Sequence, residues 1–329
     1  MLTYQYLVAG SVVGCDHELV GAPIADPTAR PDFRVRTLAA EILPPAAEPA
    51  VPTVLNNGRC MVDIGPYAKF EISSDGSEIV LTPGIETGPS ALHHILVDHA
   101  IPQRFALVGH TALHATAVDL GGGAVAMLGS SGRGKSTLSG ALVADGASWV
   151  ADDFLLLEVT EHNVIAKPTA WATRLCEDSA AALGRDHGQG DVIMDDAAKR
   201  RWNIDATKVA PVVELRCMFL LERRDDEHGE ITCTRADPAT ALSGIATQRF
   251  LAGTSAVAPR SYLSEIAAIL RHVPVFVLSY PNNFSRLGEV VDAVKIVFDR
   301  HSPVLAGASE HLLSVGSCSS TSTTSGGEL

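Results

Sequence analysis

The spacing of apolar residues divides the chain near residue 90. Before that point, short apolar runs separated by proline and glycine predict β-strands. These runs cover residues 4–13, 33–42, 60–64, 68–72 and 79–81. A proline-rich stretch at 43–52 predicts a loop within this part rather than a repeat. We therefore expect a small β-rich N-terminal domain over residues 1–90.

After residue 90 the apolar positions recur with helical spacing. Leu92, Ile95 and Leu96 fall on one helical face, and Pro102 either closes that helix or starts the next. Further along, residues 218–221 and 273–279 predict strands. Two apolar stripes predict helices with buried faces, the first formed by Leu263, Ile266 and Leu270 and the second by Leu287, Val290, Val291, Val294 and Val297. We expect an α/β domain over residues 91–303, followed by a flexible Ser-, Thr- and Gly-rich tail over 304–329.

One sequence motif supplies the first candidate functional residues. It fits the pattern G-x-x-x-x-G-K-[ST] at every fixed position and reads Gly129-Ser130-Ser131-Gly132-Arg133-Gly134-Lys135-Ser136. An apolar strand precedes the motif, and a helix predicted over 137–145 follows it. The glycines permit a loop whose N–H groups point inward, and the helix N-terminus adds partial positive charge. Residues 129–136 with Thr137 are therefore predicted to bind ATP phosphates, with Lys135 on the outer phosphates and Ser136 on Mg²⁺.

Two adjacent carboxylates follow shortly after this loop. Asp152 and Asp153 stand between two apolar runs that predict strands, so we expect them at a turn. Aspartates at strand ends are often turn formers or solvated charges. Their place one helix after the phosphate-binding motif suits the two acidic roles of phosphoryl transfer, which are holding a metal ion and orienting or deprotonating the acceptor.

The order of these motifs resembles the HPr kinase/phosphorylase family and its shorter HprK-related serine kinases. The resemblance covers residues 114–153 most specifically: His114-Ala115-Thr116-Ala117-Val118-Asp119, three glycines at 121–123, the phosphate-binding motif, and Val150-Ala151-Asp152-Asp153. It implies an α/β P-loop kinase core like that of HPr kinase and phosphoenolpyruvate carboxykinase. It also implies that Asp152 is the catalytic carboxylate, that Asp153 supports Mg²⁺ together with Ser136, and that His114 neighbours the catalytic aspartate.

The chain departs from this family downstream. Bifunctional members carry a second glycine-rich signature with an acidic residue, whereas residues 176–202 hold a Cys-Glu-Asp-Ser-Ala run and the basic stretch Lys199-Arg200-Arg201. The basic stretch is either a solvated face or part of the site. The chain looks more like the HprK-related kinases of peptide-maturation clusters, including those that phosphorylate the C-terminal serine of lasso-peptide precursors. Residues 184–191, rich in Gly and Asp, are predicted to form a mobile lid.

Composition narrows the choice of partners. The 329 residues carry a formal net charge of −13, which disfavours nucleic acid and anionic membranes as partners because both require a basic face. The six cysteines include no C-x-x-C pair, so we expect reduced thiols in a cytoplasmic protein. A monomer and a homo-oligomer both stay open on the sequence alone.

Three functions stay open on the sequence alone. The first is an ATP-dependent serine kinase that acts on a peptide or protein, with Asp152, His114 and Lys135 as catalytic residues. The second is a small-molecule kinase or ATPase with the same core. The third is a nucleotide-dependent binding module without catalysis. Three other histidines, His93, His94 and His99, are predicted to lie at the surface or at a helix end.

Overall fold

The computed structural model describes residues 4–45, 52–193, 199–250 and 259–301. The predicted flexible tail at 304–329 lies outside the described residues. The described chain is a mixed α/β structure with three sheets. Within these ranges, no helix combines the length and the apolar character needed to cross a membrane.

The N-terminal part forms a seven-stranded sheet in the order β1-β2-β3-β7-β6-β5-β4. Its strands are β1 (Tyr4–Val8), β2 (Ser11–Cys15), β3 (Phe33–Thr37), β4 (Thr53–Val54), β5 (Cys60–Asp63), β6 (Ala68–Ile72) and β7 (Glu78–Pro83). The apolar run predicted at 4–13 is two strands, because Ala9 and Gly10 both adopt positive φ, 51° and 86°, and form a hairpin turn. A two-residue turn with positive φ at both positions matches the twist of the flanking strands.

A bent helical segment follows this sheet. It consists of α1 (Pro89–Ile95), a π-helical turn at Leu96–Ala100 and α2 (Ile101–Leu107). Pro102 lies in the first turn of α2, where a proline is tolerated. The π-helical turn directly before it lets the two helices continue as one segment.

The same segment joins the first sheet to the rest of the molecule. Ile95, Ile101 and Phe105 are fully buried and share one apolar core with strands of the first sheet and with Phe154 and Leu156. The guanidinium of Arg104 in α2 lies 4.3 Å from the centroid of the Phe33 ring, and its Nε donates to the carbonyl of Gly76. The predicted domain boundary at residue 90 therefore falls within an element that packs on both sides, and the boundary stays a prediction.

The remaining strands form a nine-stranded and a three-stranded sheet. In chain order they are β8 (Thr111–Leu113), β9 (Ala115–Asp119), β10 (Ala124–Leu128), β11 (Ser148–Ala151), β12 (Leu155–Val159), β13 (Val164–Lys167), β14 (Ala172–Cys176), β15 (Asp191–Val192), β16 (Lys199–Asn203), β17 (Val213–Arg224), β18 (Thr232–Arg235) and β19 (Val275–Pro281). The larger sheet runs β11-β9-β10-β17-β13-β12-β8, with β19 between β17 and β18. The smaller sheet runs β14-β16-β15.

Parallel strands at the centre of the larger sheet set the position of the site. β17 pairs in parallel with both β10 and β19, so the carboxyl ends of all three strands lie at one edge. The phosphate-binding motif follows β10, Arg223 lies near the end of β17, and Tyr280 lies near the end of β19. Ligands of open α/β sheets bind outside such carboxyl ends.

Helices cover both faces of this sheet. They are α3 (Lys135–Ala144), α5 (Pro238–Ala246), α6 (Pro259–His272) and α7 (Leu287–His301), whereas α4 (Glu177–Ala182) packs beside β14 of the smaller sheet. All five residues of β10 are buried, and they alternate between a core shared with α5 and α6 and a core shared with α3 and α7. The predicted apolar stripe of α7 is in the core, whereas Leu263 of α6 is 45% exposed, so the prediction of a buried face is wrong for that residue.

The close approach of Gly84, directly after β7, to Pro66 in the turn before β6 gives a test of this packing. A Cβ built on Gly84 would overlap the carbonyl oxygen of Pro66, which is backbone and has no room to move. We predict that Gly84→Ala lowers the free energy of unfolding by about 1–3 kcal/mol, the usual cost of overpacking. Urea unfolding followed by circular dichroism measures this change.

The matched control is Gly288→Ala in the first turn of α7. A Cβ at Gly288 meets no atom within 4 Å, and alanine is the better helix former. We expect this control to leave the free energy of unfolding unchanged or to raise it by up to about 1 kcal/mol. Equal losses in the two variants would contradict the close approach of Gly84 to Pro66.

Candidate active site

The phosphate-binding motif forms the loop that its glycines predict. Gly132 and Gly134 adopt positive φ of 82° and 90°, which non-glycine residues rarely reach, and α3 begins directly afterwards at Lys135. The side chain of Lys135 is buried and its Nζ donates to the carbonyl of Gly129 at 2.7 Å across the loop. Burial lowers the pKa of Lys135 from its usual value. The backbone therefore turns sharply between β10 and α3, and the Lys135 ammonium group spans the turn.

Neighbouring elements hold the loop in place. The Tyr280 hydroxyl of β19 donates to the carbonyl of Arg133 at 2.6 Å, and Arg133 Nη1 donates to the carbonyl of Arg223 in β17 at 2.7 Å. Behind the loop, the Thr137 hydroxyl donates to Ser179 Oγ at 2.8 Å, which ties α3 to α4. Two central strands and one helix thus fix the loop before any ligand binds.

The loop faces a cavity of about 550 Å³, here termed the phosphate cavity. Its lining includes residues predicted to bind the nucleotide: Ser131, Gly132, Gly134, Lys135, Ser136 and Thr137. Three further cations, Arg174, Lys199 and Arg223, also line it. A curved loop with a buried lysine, a helix N-terminus and several cations fits a polyanion such as a nucleotide triphosphate.

Asp152 lies beside the phosphate-binding loop. Its Oδ1 accepts a hydrogen bond from the Ser136 hydroxyl at 2.9 Å, and its Oδ2 accepts one from the backbone N–H of Arg174 at 3.1 Å. Burial, and secondly the charge of Asp153, raise the pKa of Asp152 above its usual range. A buried carboxyl with a raised pKa is the kind of group that accepts a proton in catalysis.

Asp153 faces the phosphate cavity and has different partners. Its backbone adopts a positive φ of 64°, which is uncommon for a residue other than glycine. Its Oδ1 lies 3.1 Å from His114 Nε2, and its Oδ2 accepts a hydrogen bond from Arg174 Nη2. Burial acts to raise the pKa of Asp153, but Arg174 and His114 outweigh it and hold the pKa well below the usual value. Asp153 is therefore an ionised carboxylate.

His114 lies between β8, which pairs with β12, and β9, which pairs with β10. Its side chain is 46% exposed, lines the phosphate cavity, and stacks on Phe250 with ring centroids 6.3 Å apart. The sequence predicts it beside the catalytic aspartate Asp152. In the structure its nearest carboxylate oxygen belongs to Asp153.

Arg174 is central to the site, and the sequence analysis missed it. Besides Asp153, its guanidinium pairs with Asp98 of the π-helical turn, whose Oδ2 lies 3.1 Å from Arg174 Nη1. His94 Nδ1 lies 2.6 Å from the same oxygen of Asp98. Each of these side chains is only 15% exposed. The nearby His93 is 4% exposed and so does not lie at the surface, but it does lie in the last turn of α1, which is the helix end of the prediction.

The predicted basic stretch contributes one residue to the phosphate cavity, and the predicted lid stays a prediction. Lys199 lines the phosphate cavity, whereas Arg200 Nη1 donates to the carbonyl of Gly190 and Arg201 lines a second cavity. Alternation along β16 places Lys199 and Arg201 on one face and Arg200 on the other, so the three residues do not form one patch. The segment predicted as a lid, residues 184–191, contains a 3₁₀ turn at His187–Gln189 and the first residue of β15.

The carboxylates fit one type of metal site. Among the described residues, no group of three or more His, Cys, Asp or Glu side chains is arranged to hold a metal ion. Mg²⁺ in phosphoryl-transfer enzymes is bound by one or two carboxylates together with substrate phosphates rather than by a protein cage. The predicted ligands Ser136 and Asp153 both line the phosphate cavity, so the donor set fits a Mg²⁺ ion that arrives with the nucleotide.

Comparisons with known proteins report a structural match of low similarity. No protein-family model matches the chain, and no curated protein matches it. Among solved structures, it is similar to the Hpr(Ser) kinase/phosphatase from Coxiella burnetii, at 14% sequence identity and a TM-score of 0.30. That match covers 57% of this chain and 93% of the other. A TM-score of this size does not establish a shared fold, so the sequence resemblance to HPr kinases stays a prediction.

The pairing of Arg174 gives a prediction for stability. Replacing it with methionine leaves Asp98 and Asp153 buried without their cation, and we expect Arg174→Met to lower the free energy of unfolding at pH 7 by about 3–5 kcal/mol. The loss should shrink on acidification. In the wild type the lowered pKa values of Asp98 and Asp153 stabilise the fold above the unfolded pKa of about 4, so this contribution persists at pH 4.5 and is lost only as pH falls further, through the folded pKa. In the variant, burial without a cation raises the pKa of both carboxyls above the unfolded value, so they take up protons on acidification and the buried charge is removed.

Urea unfolding at pH 7 and pH 4.5 measures both effects. The control is Arg36→Met, which removes a solvent-exposed ion pair with Glu78 and should change the free energy of unfolding by no more than about 1 kcal/mol. An Arg174→Met loss that stays constant with pH would show that the guanidinium contributes by packing rather than by charge.

Proposed function

We propose that this chain is an ATP-dependent phosphotransferase that transfers the γ-phosphoryl group to a serine hydroxyl of a peptide or protein. The observation that carries the proposal is the meeting of the phosphate-binding loop with the aspartate pair. The Ser136 hydroxyl in the first turn of α3 donates directly to Asp152, and Asp153 opens on the same cavity as Lys135. Phosphoryl transfer requires these two groups of residues side by side.

Residues 129–137 bind the triphosphate in this proposal. The N–H groups of the loop and the N-terminus of α3 supply donors and partial positive charge. Lys135 now donates to Gly129, a neutral carbonyl, and a phosphate oxygen is a stronger acceptor for an ammonium group. Lys199 and Arg223, which line the same cavity, add to the charge that stabilises the phosphates during transfer.

Ser136 and Asp153 would hold Mg²⁺ when the nucleotide is bound, and its charge would help to stabilise the phosphates. Asp153 is suited to this role because Arg174 and His114 keep it ionised. The two oxygens of the carboxylate keep lone pairs that neither neighbour occupies. His114 acts as a positioning residue for Asp153 rather than for Asp152, which differs from the role implied by the sequence resemblance.

Asp152 orients the acceptor hydroxyl and takes its proton. Ser136 and the backbone N–H of Arg174 fix the two oxygens of this carboxylate, so its orientation is set before the acceptor arrives. Because the transition state of phosphoryl transfer is loose, positioning of the hydroxyl matters more than early deprotonation. The acceptor serine is either internal or, as the resemblance implies, C-terminal as in a lasso-peptide precursor. The two acceptors differ by one free carboxylate beside the hydroxyl.

The first functional prediction concerns Lys135. Lys135→Met keeps a long side chain in the buried site but removes the charge, and we expect phosphoryl transfer to fall at least a hundredfold while the fold is retained. Conversion of radiolabelled ATP measures the rate, and circular dichroism checks the fold. Lys208→Met, at an exposed position, is the control and should leave the rate unchanged. Normal turnover by Lys135→Met would exclude the loop from the reaction.

The second functional prediction separates the two aspartates. Asp152→Asn should bind ATP normally but lose on the order of 10²- to 10⁴-fold in kcat, the scale for a positioned acid–base group. Asp153→Asn should instead raise the Mg²⁺ concentration needed for half-maximal rate. Initial rates measured over a Mg²⁺ titration distinguish these outcomes, with the exposed Asp292→Asn as control. An increased Mg²⁺ requirement in Asp152→Asn alone would reverse the assignment.

A further inference from the structure

A second cavity of about 450 Å³ adjoins the phosphate cavity. Both cavities are lined by His94, Asp98 and Arg174, which form the wall between them. Of the aspartate pair, Asp152 lines the second cavity and Asp153 lines the phosphate cavity. A hydroxyl that enters from the second cavity therefore meets Asp152 first, on the side away from the cations that surround the phosphates.

One face of the three-stranded sheet forms the floor of this cavity. Arg174, Arg201 and Asp191 stand opposite one another on adjacent strands and all three line it. The facing wall is α1 with the π-helical turn, and the turn after β2 closes one side. The walls include the apolar side chains of Val97, Trp171 and Ile193.

The charged groups of this cavity are mostly acidic. Among the described residues that line it, the carboxylates are Asp16, Glu18, Asp98, Asp152 and Asp191, and the guanidiniums are Arg174 and Arg201. The excess of negative charge therefore remains although Arg174 pairs with Asp98. Glu18 and Asp191 are exposed and stand nearest to solvent. Such a cavity attracts cations and repels anions.

His93 adds a free acceptor to the same cavity. It is 4% exposed, and its Nδ1 has no hydrogen-bond partner within the described part of the chain. Burial lowers the pKa of His93 to about 4, so the ring is neutral, and its other nitrogen bonds to the backbone carbonyl of Glu18. A neutral ring that donates through one nitrogen accepts through the other. The unpaired Nδ1 therefore suits an N–H donor of a ligand.

We propose that this second cavity is the acceptor site and that it selects a serine flanked by a lysine or arginine. The inference rests on the proposed kinase function and specifies its substrate. The apolar walls accommodate the methylene stem of a basic side chain, and the carboxylates with His93 meet its charged N–H groups. The same charges disfavour an acidic neighbour or a free carboxylate beside the serine, and so favour an internal serine over a C-terminal one.

Matched peptides test the selection directly. The probes are capped alanine-based peptides with one serine flanked on both sides by Lys, Gln or Glu, and a Gln peptide that ends in serine with a free carboxylate. Phosphorylation is followed by intact mass with ATP and Mg²⁺. We expect kcat/KM to decrease from the Lys peptide to the Gln peptide to the Glu peptide, with at least a tenfold difference between the first and the last. The Gln peptide that ends in serine with a free carboxylate should have a lower kcat/KM than the capped Gln peptide. Added salt should reduce the differences in kcat/KM among the peptides because it screens their charges.

A charge reversal at Glu18, at the solvent-exposed edge of the second cavity, tests whether this cavity determines the peptide preference. Glu18→Lys should lower kcat/KM for the Lys peptide roughly fivefold to tenfold and raise it for the Glu peptide, with the KM for ATP unchanged. Glu161→Lys makes the same change in charge at an exposed position outside this cavity and should leave the preference as in the wild type. Titration with a non-hydrolysable ATP analogue serves as the check on nucleotide binding in each variant.

The outcomes separate the two levels of the proposal. A preference for the Glu or free-carboxylate peptide, or an unchanged preference in Glu18→Lys, would overturn the acceptor site while leaving the kinase function intact. Analogue binding with no phosphorylation of any peptide would overturn the peptide class of the acceptor. Failure of the wild-type protein to bind the analogue would overturn the proposed function itself.

Discussion

The buried guanidinium of Arg174 is the interaction on which the rest of the site depends. It joins Asp98 of the π-helical turn to Asp153 of the aspartate pair, and its own backbone N–H fixes Asp152. Taking an arginine and two carboxylates out of water is costly, and the cost is offset only when every partner is in place. Three separate parts of the chain must therefore assemble together before either aspartate has its working orientation and charge.

The π-helical turn explains how one of those parts reaches the site. Asp98 and His94 are one helical turn apart, and both point at Arg174, although the helix that carries them also packs on the N-terminal sheet. Helical segments with a local π turn are frequent at functional sites because the extra residue redirects side chains. Pro102 directly after the turn limits how the helix can continue. The N-terminal sheet thus supports the site through this helix.

Sequence reasoning recovered the parts of the site that are contiguous in the chain. Strand β10, the glycine loop and α3 are predictable because motif, apolar run and helix follow one another within about twenty residues. Arg174 and Asp98 were missed, since each stands alone in its own element and only tertiary packing brings them together. The same reason explains His93, which lies on an amphipathic helix but is covered by the N-terminal part. The positive φ at Asp153 likewise has no local signal in the sequence.

The two cavities place the two aspartates in different electrostatic environments. Lys135, Lys199 and Arg223 make one side cationic, and the carboxylates around Asp152 make the other side anionic. Adjacent residues of one turn are thus placed in opposite electrostatic environments, with Arg174 in the wall between them. A polyanion and a cationic acceptor are each attracted to one side and repelled from the other. In the proposed kinase reaction, the acceptor and the donor therefore approach the aspartate pair from opposite sides, as an in-line transfer requires.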